Sequence, residues 1–162
     1  MGILDGKRIL VTGVLTDASI AFGVAKTAQQ EGAEVILTGA GRGLSLTKRT
    51  ARKLDPEPAV LELDVTDPQQ VKDLTKTLAD TYGTIDGAVH AIGFAPASCL
   101  GGEFMDTPWE DVSVAVEISA YSLKTLAEIV VPLMPNGGSI VGMDFDATVA
   151  WPAYNWMGVA KA

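Results

Sequence analysis

Cysteine, excess positive charge and long apolar runs are all scarce in this sequence, and each shortage closes off a class of protein. The single cysteine, Cys99, has no partner for an internal disulfide, which fits a reducing compartment or a chain that needs no staple. A small loop hydrophobe is its default reading, ahead of a nucleophile. Twelve lysines and arginines stand against twenty aspartates and glutamates, a formal net charge of −8. No basic surface is therefore available to neutralise phosphates along a duplex, and nucleic acid is a poor partner. No apolar run approaches the roughly 20 residues that span a bilayer, and the amino terminus lacks a signal-peptide core. We expect a cytoplasmic protein without membrane contact, and no metal site. Also missing is the glycine fingerprint G-x-G-x-x-G: between Gly13 and Ser19 stand Val14, Leu15, Thr16, Asp17 and Ala18.

What is present is a core. With 162 residues and 48% hydrophobic content, the chain is long enough for one domain around one sizeable interior. Lys7 to Thr12 is a short apolar run ending in Gly13, and Ser19 opens a helical pattern with Ile20, Ala21, Val24, Ala25 and Ala28 apolar. Gly32 is placed to end that helix, and Glu34 to Thr38 reads as a second strand. A helix is expected over Leu44 to Leu54, closed by Pro56 and Pro58, before a third strand from Ala59 to Leu63. Asp67-Pro68-Gln69-Gln70 has the look of a capped helix start with a glutamine reaching back, and Gly83 ends that helix. Ile85 to Ala91 reads as a fourth strand covered on both sides. Thr107-Pro108-Trp109-Glu110 predicts a capping box in front of a long helix that runs until just before Pro132. Ser139 to Met143 is the fifth strand, followed by a final helix carrying Tyr154 and Lys161.

About five strands alternating with helices predict an α/β fold, a doubly wound parallel sheet of the Rossmann type. In such sheets ligands sit at the carboxyl ends of the strands, where a helix amino terminus favours phosphate. Four features lie at such ends. Gly13 allows close approach of the backbone, and Ser19 with Ile20 offers a hydroxyl and free amides to a pyrophosphate. Asp64 with Val65 ends strand three, where a carboxylate can accept from an adenine amine. Ile92 with Gly93 ends strand four, beside a ribose. Each has an ordinary structural reading as a turn residue or strand terminator; their coincidence points to a dinucleotide. No acid ends strand two, where Thr38 to Arg42 stand instead. Arg42 is either a contact for a 2′-phosphate or a solvated loop charge, so NADPH stays open beside NADH.

Lys161 follows Tyr154 by seven positions. On a helix that spacing is nearly two turns, which puts phenol and ammonium on one face roughly 10 Å apart. A neighbouring ammonium favours the ionised phenol and suits it to proton chemistry. The alternative is an ordinary helix with a surface lysine and a half-buried tyrosine. A hydride donor and a proton donor at the same sheet edge make the equipment of a reductase. Many short-chain dehydrogenases place the lysine four residues after the tyrosine, where this chain has Gly158.

The stretches Leu4 to Gly13, Ser19 to Ala21, Leu61 to Val65, His90 to Phe94, Ile118 to Ser122, Gly137 to Asp146 and Pro152 to Met157 resemble the enoyl-acyl-carrier-protein reductases of bacterial fatty-acid synthesis, the mycobacterial and actinobacterial type above all. The resemblance implies reduction of the trans-2 double bond of an enoyl thioester, carried on acyl carrier protein, by NADH. It implies Tyr154 as the group that hydrogen-bonds the thioester oxygen, Lys161 as the ligand of the nicotinamide ribose, and Phe145 as the ring shaping the space between cofactor and substrate. Gly13, Ser19, Ile20, Asp64, Val65, Ile92, Gly93 and Ile118 carry over as cofactor contacts. Two positions depart from the family: Ala91 replaces a common serine, and Ala40 an aromatic residue near the adenine. The family also continues beyond this chain's length with further strands and a substrate-covering segment. We expect residues 1–162 to be one NAD-binding domain of a longer protein, with little activity alone and homotetrameric when whole. A ketoacyl or carbonyl reductase, and a non-catalytic nucleotide-binding module, are the alternatives.

Overall fold

A computed structural model describes residues 2–162. Five parallel strands form its centre: β1 (Arg8–Val11), β2 (Glu34–Gly39), β3 (Ala59–Glu62), β4 (Gly87–His90) and β5 (Ser139–Gly142). Their order is β3-β2-β1-β4-β5. From β1 the chain builds outward first on one side, through β2 and β3, and then crosses to β4 and β5 on the other. The strand order therefore reverses beside β1, which opens a crevice at the carboxyl ends of β1 and β4. Leu10 pairs with Ile36 on one side and Ala88 on the other. Val35 to Thr38 and all of β4 are buried, because helices cover the sheet on both faces and near-continuous apolar runs are what such strands need.

The helices are α1 (Ile20–Gln30), α2 (Gly41–Ala51), α3 (Pro68–Tyr82), α4 (Trp109–Val116), α5 (Ser122–Val130) and α6 (Trp156–Lys161). On one face, Leu10, Ile36 and Ala88 meet Leu74 and Leu78 of α3 and Leu126 and Ile129 of α5. On the other, Val11, Val35 and Leu37 meet Ala21, Ala25 and Ala28 of α1 and Ala51 of α2. The alanine stripe of α1 lets its backbone lie close to the strands. Each leucine so buried contributes about 2–3 kcal/mol over an exposed one.

Local signals misled in four places. The α2 helix opens at Gly41, three residues before the expected Leu44, and ends at Ala51. Gln70 does reach back from α3, but to the amide of Asp64 at 2.7 Å and not to the cap residue Asp67, whose carboxylate accepts from Gln69 and Gln70. The capping box at Thr107 does not form: Pro108 is the cap residue, and the Thr107 hydroxyl donates to the Ser98 carbonyl at 3.1 Å. The long helix is one path from Trp109 to Val130, but residues Glu117–Tyr121 form a π-turn between α4 and α5. Such a turn inserts an extra residue and re-aims the carbonyls around it.

Candidate active site

The crevice beside β1 is built from strand ends. Thr12, the residue after β1, accepts a hydrogen bond from the Ala91 amide at 2.9 Å and donates to the Val89 carbonyl at 3.0 Å through its buried hydroxyl. This staples the exit of β1 to the exit of β4. Gly13 follows with φ +79°, and a Cβ there would lie 2.1 Å from the Ala91 carbonyl oxygen. Only glycine fits both the left-handed backbone and the contact. Gly13→Ala is expected to cost more than the roughly 1–3 kcal/mol of a strained backbone position, because a backbone atom must also move; a urea titration that finds the variant as stable as the parent would contradict this.

Gly13, Asp64, Val65, Ile92, Gly93 and Ile118 line one cleft of about 330 Å³, joined by Ala40 and Ala91. Six of the residues read as cofactor contacts thus come together. Asp64 accepts from the Thr66 amide and hydroxyl through Oδ1 (2.9 and 2.7 Å), and its second oxygen has no protein partner among the described residues. Ile118 arrives from the π-turn. Ser19 and Ile20 stand apart from these lining residues. Ser19 caps α1, accepting from the Phe22 amide at 3.2 Å and donating to the Thr16 carbonyl at 2.7 Å. Ile20 is 69% exposed and borders an apolar groove with Ile9, Val24 and Val89. Arg42 is exposed and outside the cleft.

Lys161 is only 6% exposed. Its ammonium donates to the carbonyls of Ile92 (3.2 Å) and Ser119 (3.4 Å), with Asp144 Oδ1 at 3.8 Å. Burial pushes its pKa below the ordinary lysine value, and the Asp144 carboxylate opposes that shift. Tyr154 does not share a helix with it, contrary to expectation. The α6 helix begins at Trp156, because Asn155 has ψ −114° and its side-chain amide is tied to the Gly101 carbonyl at 2.9 Å. Tyr154 is 42% exposed and its ring lies 4.5 Å from that of Phe145. The two rings, with Trp151, Phe104 and Val159, line a second pocket of about 390 Å³. Lys161 connects the two cavities: its ammonium holds Ile92 of the cleft, and its carbonyl accepts from the Phe145 amide at 2.7 Å.

Several groups at the site were not singled out for a role from the sequence. Thr12, Ser119, Asn155 and Trp156 are among them, and all but Thr12 share the same loop-and-helix seam: Ser119 exchanges hydrogen bonds with the amide and carbonyl of Phe94, and Trp156 stacks on Phe104 with centroids 4.3 Å apart. Their signal was a run of polar and aromatic residues in stretches otherwise read for Tyr154 and Ile118.

His90 is fully buried under the site, its Nε2 2.6 Å from the Ser122 hydroxyl, which itself donates to the Ile118 carbonyl. With that hydroxyl proton committed, Nε2 must donate, which fixes the tautomer. Burial, first, and the Lys161 charge, second, hold the His90 pKa below its usual value. The unfolded chain takes up this proton near pH 6.5 while the folded chain refuses it, so stability is full above that pH and falls below it. We expect the urea midpoint to drop between pH 7 and pH 5 and His90→Asn to flatten that drop; an equal decline in the variant would contradict this origin.

The open parallel sheet, the crevice at its switch point and the helices on both faces define a Rossmann-like α/β protein of the short-chain dehydrogenase/reductase kind. Residues 13–162 match the family described as enoyl-(acyl carrier protein) reductase, and the chain belongs to that family. It is similar to the NADH enoyl-acyl-carrier-protein reductases of Mycolicibacterium smegmatis (55% identical over 99% of this chain), Mycobacterium avium (47% over 99%) and Aquifex aeolicus (38% over 100%). The chain spans 61% of the length of each of these relatives.

Proposed function

We propose that this chain forms the cofactor-binding and catalytic part of an enoyl reductase that reduces the trans-2 double bond of an enoyl thioester, carried on acyl carrier protein, with NADH. The observation that carries the reading is the linkage of the cleft to the aromatic pocket through the two ends of Lys161. When bound, NADH supplies the hydride. The cleft fits such a group: it gathers the ends of β1, β3 and β4 around about 330 Å³, and Asp64 keeps one carboxylate oxygen for an adenine amine. Ala91 keeps its backbone bond to Thr12 although its side chain offers no hydroxyl. Ser19 and Ile20, at the amino terminus of α1 and apart from the residues that line the cleft, are the proposed contacts for the phosphates.

Lys161 orients the nicotinamide ribose with its ammonium. Tyr154 donates a hydrogen bond to the thioester oxygen as negative charge develops there, which is where a preorganised donor acts most strongly. Phe145 packs against the phenol ring, tilted by 42°, and fixes its position in the aromatic pocket. The names of the relatives support NADH over NADPH. Titrating the chain with NADH and NADPH by nicotinamide fluorescence tests the first half of the reading, and saturable binding of neither would end it.

The same reading places the protein in the cytoplasm, where fatty-acid synthesis has its soluble carriers; among the described residues no helix is long and apolar enough to cross a membrane. Subunit pairing through the α4–α5 path is supported by its exposed apolar residues, Trp109 (70% exposed), Tyr121 and Leu123. Exposed apolar side chains of this size are candidates for an interface, and a homotetramer is the assembly proposed. A monomeric mass by light scattering would remove this part.

A further inference from the structure

Building on the reading in which Lys161 serves the cofactor, we propose that Asp144 is a positioning residue that keeps the Lys161 ammonium charged and in place beneath the cleft. The two consecutive residues Asp144 and Phe145, just beyond β5, grip both ends of the lysine. The Phe145 amide donates to the lysine carbonyl at 2.7 Å, and Asp144 Oδ1 stands 3.8 Å from Nζ, a charge pair beyond hydrogen-bond length. Gly142, the last residue of β5, makes room for this carboxylate: a Cβ there would lie 3.2 Å from Asp144 Oδ2.

The other groups around the ammonium supply no negative charge. The loop after β4 gives the Ile92 carbonyl, and the π-turn gives the Ser119 carbonyl. β4 contributes His90, whose ring is engaged with Ser122 of α5 and resists protonation. Tyr154, on the segment leading into α6, packs its ring against that of Phe145, tilted by 42°. Among the described residues Asp144 is the one carboxylate paired with Lys161.

Charge at Nζ decides how many donors the lysine has. A neutral amine carries two N–H groups, and the Ile92 and Ser119 carbonyls take both. The ammonium carries three, and the third is the one free for a ribose hydroxyl. Burial works to remove that proton and Asp144 works to keep it. Loss of the carboxylate therefore lowers the pH above which that third donor is lost, and leaves the lysine's two internal hydrogen bonds in place.

The test follows the Nζ resonance of Lys161 against pH in the lysine-15N-labelled chain, as wild type, Asp144→Asn and Asp144→Glu. We expect the titration midpoint to move to lower pH in Asp144→Asn and to be restored in Asp144→Glu. On the same samples, the ratio of variant to wild-type Kd for NADH is expected to rise about threefold between pH 6 and pH 9, the size appropriate to a partly exposed partner. An unchanged midpoint in Asp144→Asn overturns the proposal even where NADH binds normally. A lowered midpoint in a chain that does not bind NADH upholds the pairing and overturns the cofactor reading instead. Should Asp144→Asn not fold, raised salt in the wild type gives the same decision: screening of the pair lowers the Lys161 midpoint by more than that of the exposed Lys72, and an equal or smaller fall counts against it.

Discussion

Tyr154→Phe is expected to lower turnover of a trans-2-enoyl thioester about 10²- to 10³-fold, the usual effect of removing one donor from a developing oxyanion. The substitution is close to isosteric. The ring keeps its place 4.5 Å from Phe145 and still lines the aromatic pocket, so packing is preserved and only the hydroxyl is lost. Tyr154 is not among the residues lining the cleft, so the Kd for NADH should stay within about twofold, which separates loss of transition-state stabilisation from loss of binding. The measurement is steady-state kinetics on the chain joined to the stretch of the Mycolicibacterium smegmatis relative beyond the aligned region. A kcat within a few-fold of the parent would remove Tyr154 from the chemistry.

The second large effect is expected at Lys161. Lys161→Met keeps most of the buried stem and removes the ammonium, so NADH affinity should fall about 10- to 100-fold, the value of one or two hydrogen bonds from a charged donor. The fold bears two opposing changes. The carbonyls of Ile92 and Ser119 lose their donor, at about 1–3 kcal/mol each, while a charge that burial disfavours disappears. Fluorescence titration with NADH, alongside a far-ultraviolet dichroism spectrum to confirm folding, checks the expectation. Unaltered affinity in a folded variant would show that Lys161 serves the fold alone.

The parts of the fold that were legible are those decided within a few residues. Val35-Ile36-Leu37 reads as a buried strand because every position is apolar, and Ser19 marks the start of α1 because its hydroxyl reaches the Phe22 amide three residues on. Gly13, Asp64 and Gly93 could be placed at strand ends because apolar runs stop there, and the cleft duly gathers them. What was illegible depends on partners far along the chain. Tyr154 was expected on a helix, but the α6 start is displaced by the bond from Asn155 to Gly101, 54 residues away. The Thr107 capping box failed for a related reason: its hydroxyl goes to Ser98 and receives Asn155. The π-turn at Glu117–Tyr121, which turns the Ser119 carbonyl to Lys161, has no local signature in a stretch that otherwise reads as one helix.

Spacing also gave a misleading picture of the Tyr154–Lys161 pair. Seven positions implied two turns of one helix face; instead the phenol faces an aromatic pocket and the ammonium is buried under the cleft, with the backbone of the Phe145 loop between them. The pair belongs to one site through that loop and not through direct contact on a helix.

The most direct test of the central claim is the disappearance of reduced-nicotinamide absorbance when the same joined protein is given NADH with a trans-2-enoyl thioester or, side by side, with the matching 3-ketoacyl thioester. The proposed function predicts consumption with the enoyl compound and none above background with the ketoacyl compound. Consumption with the ketoacyl compound alone would contradict it.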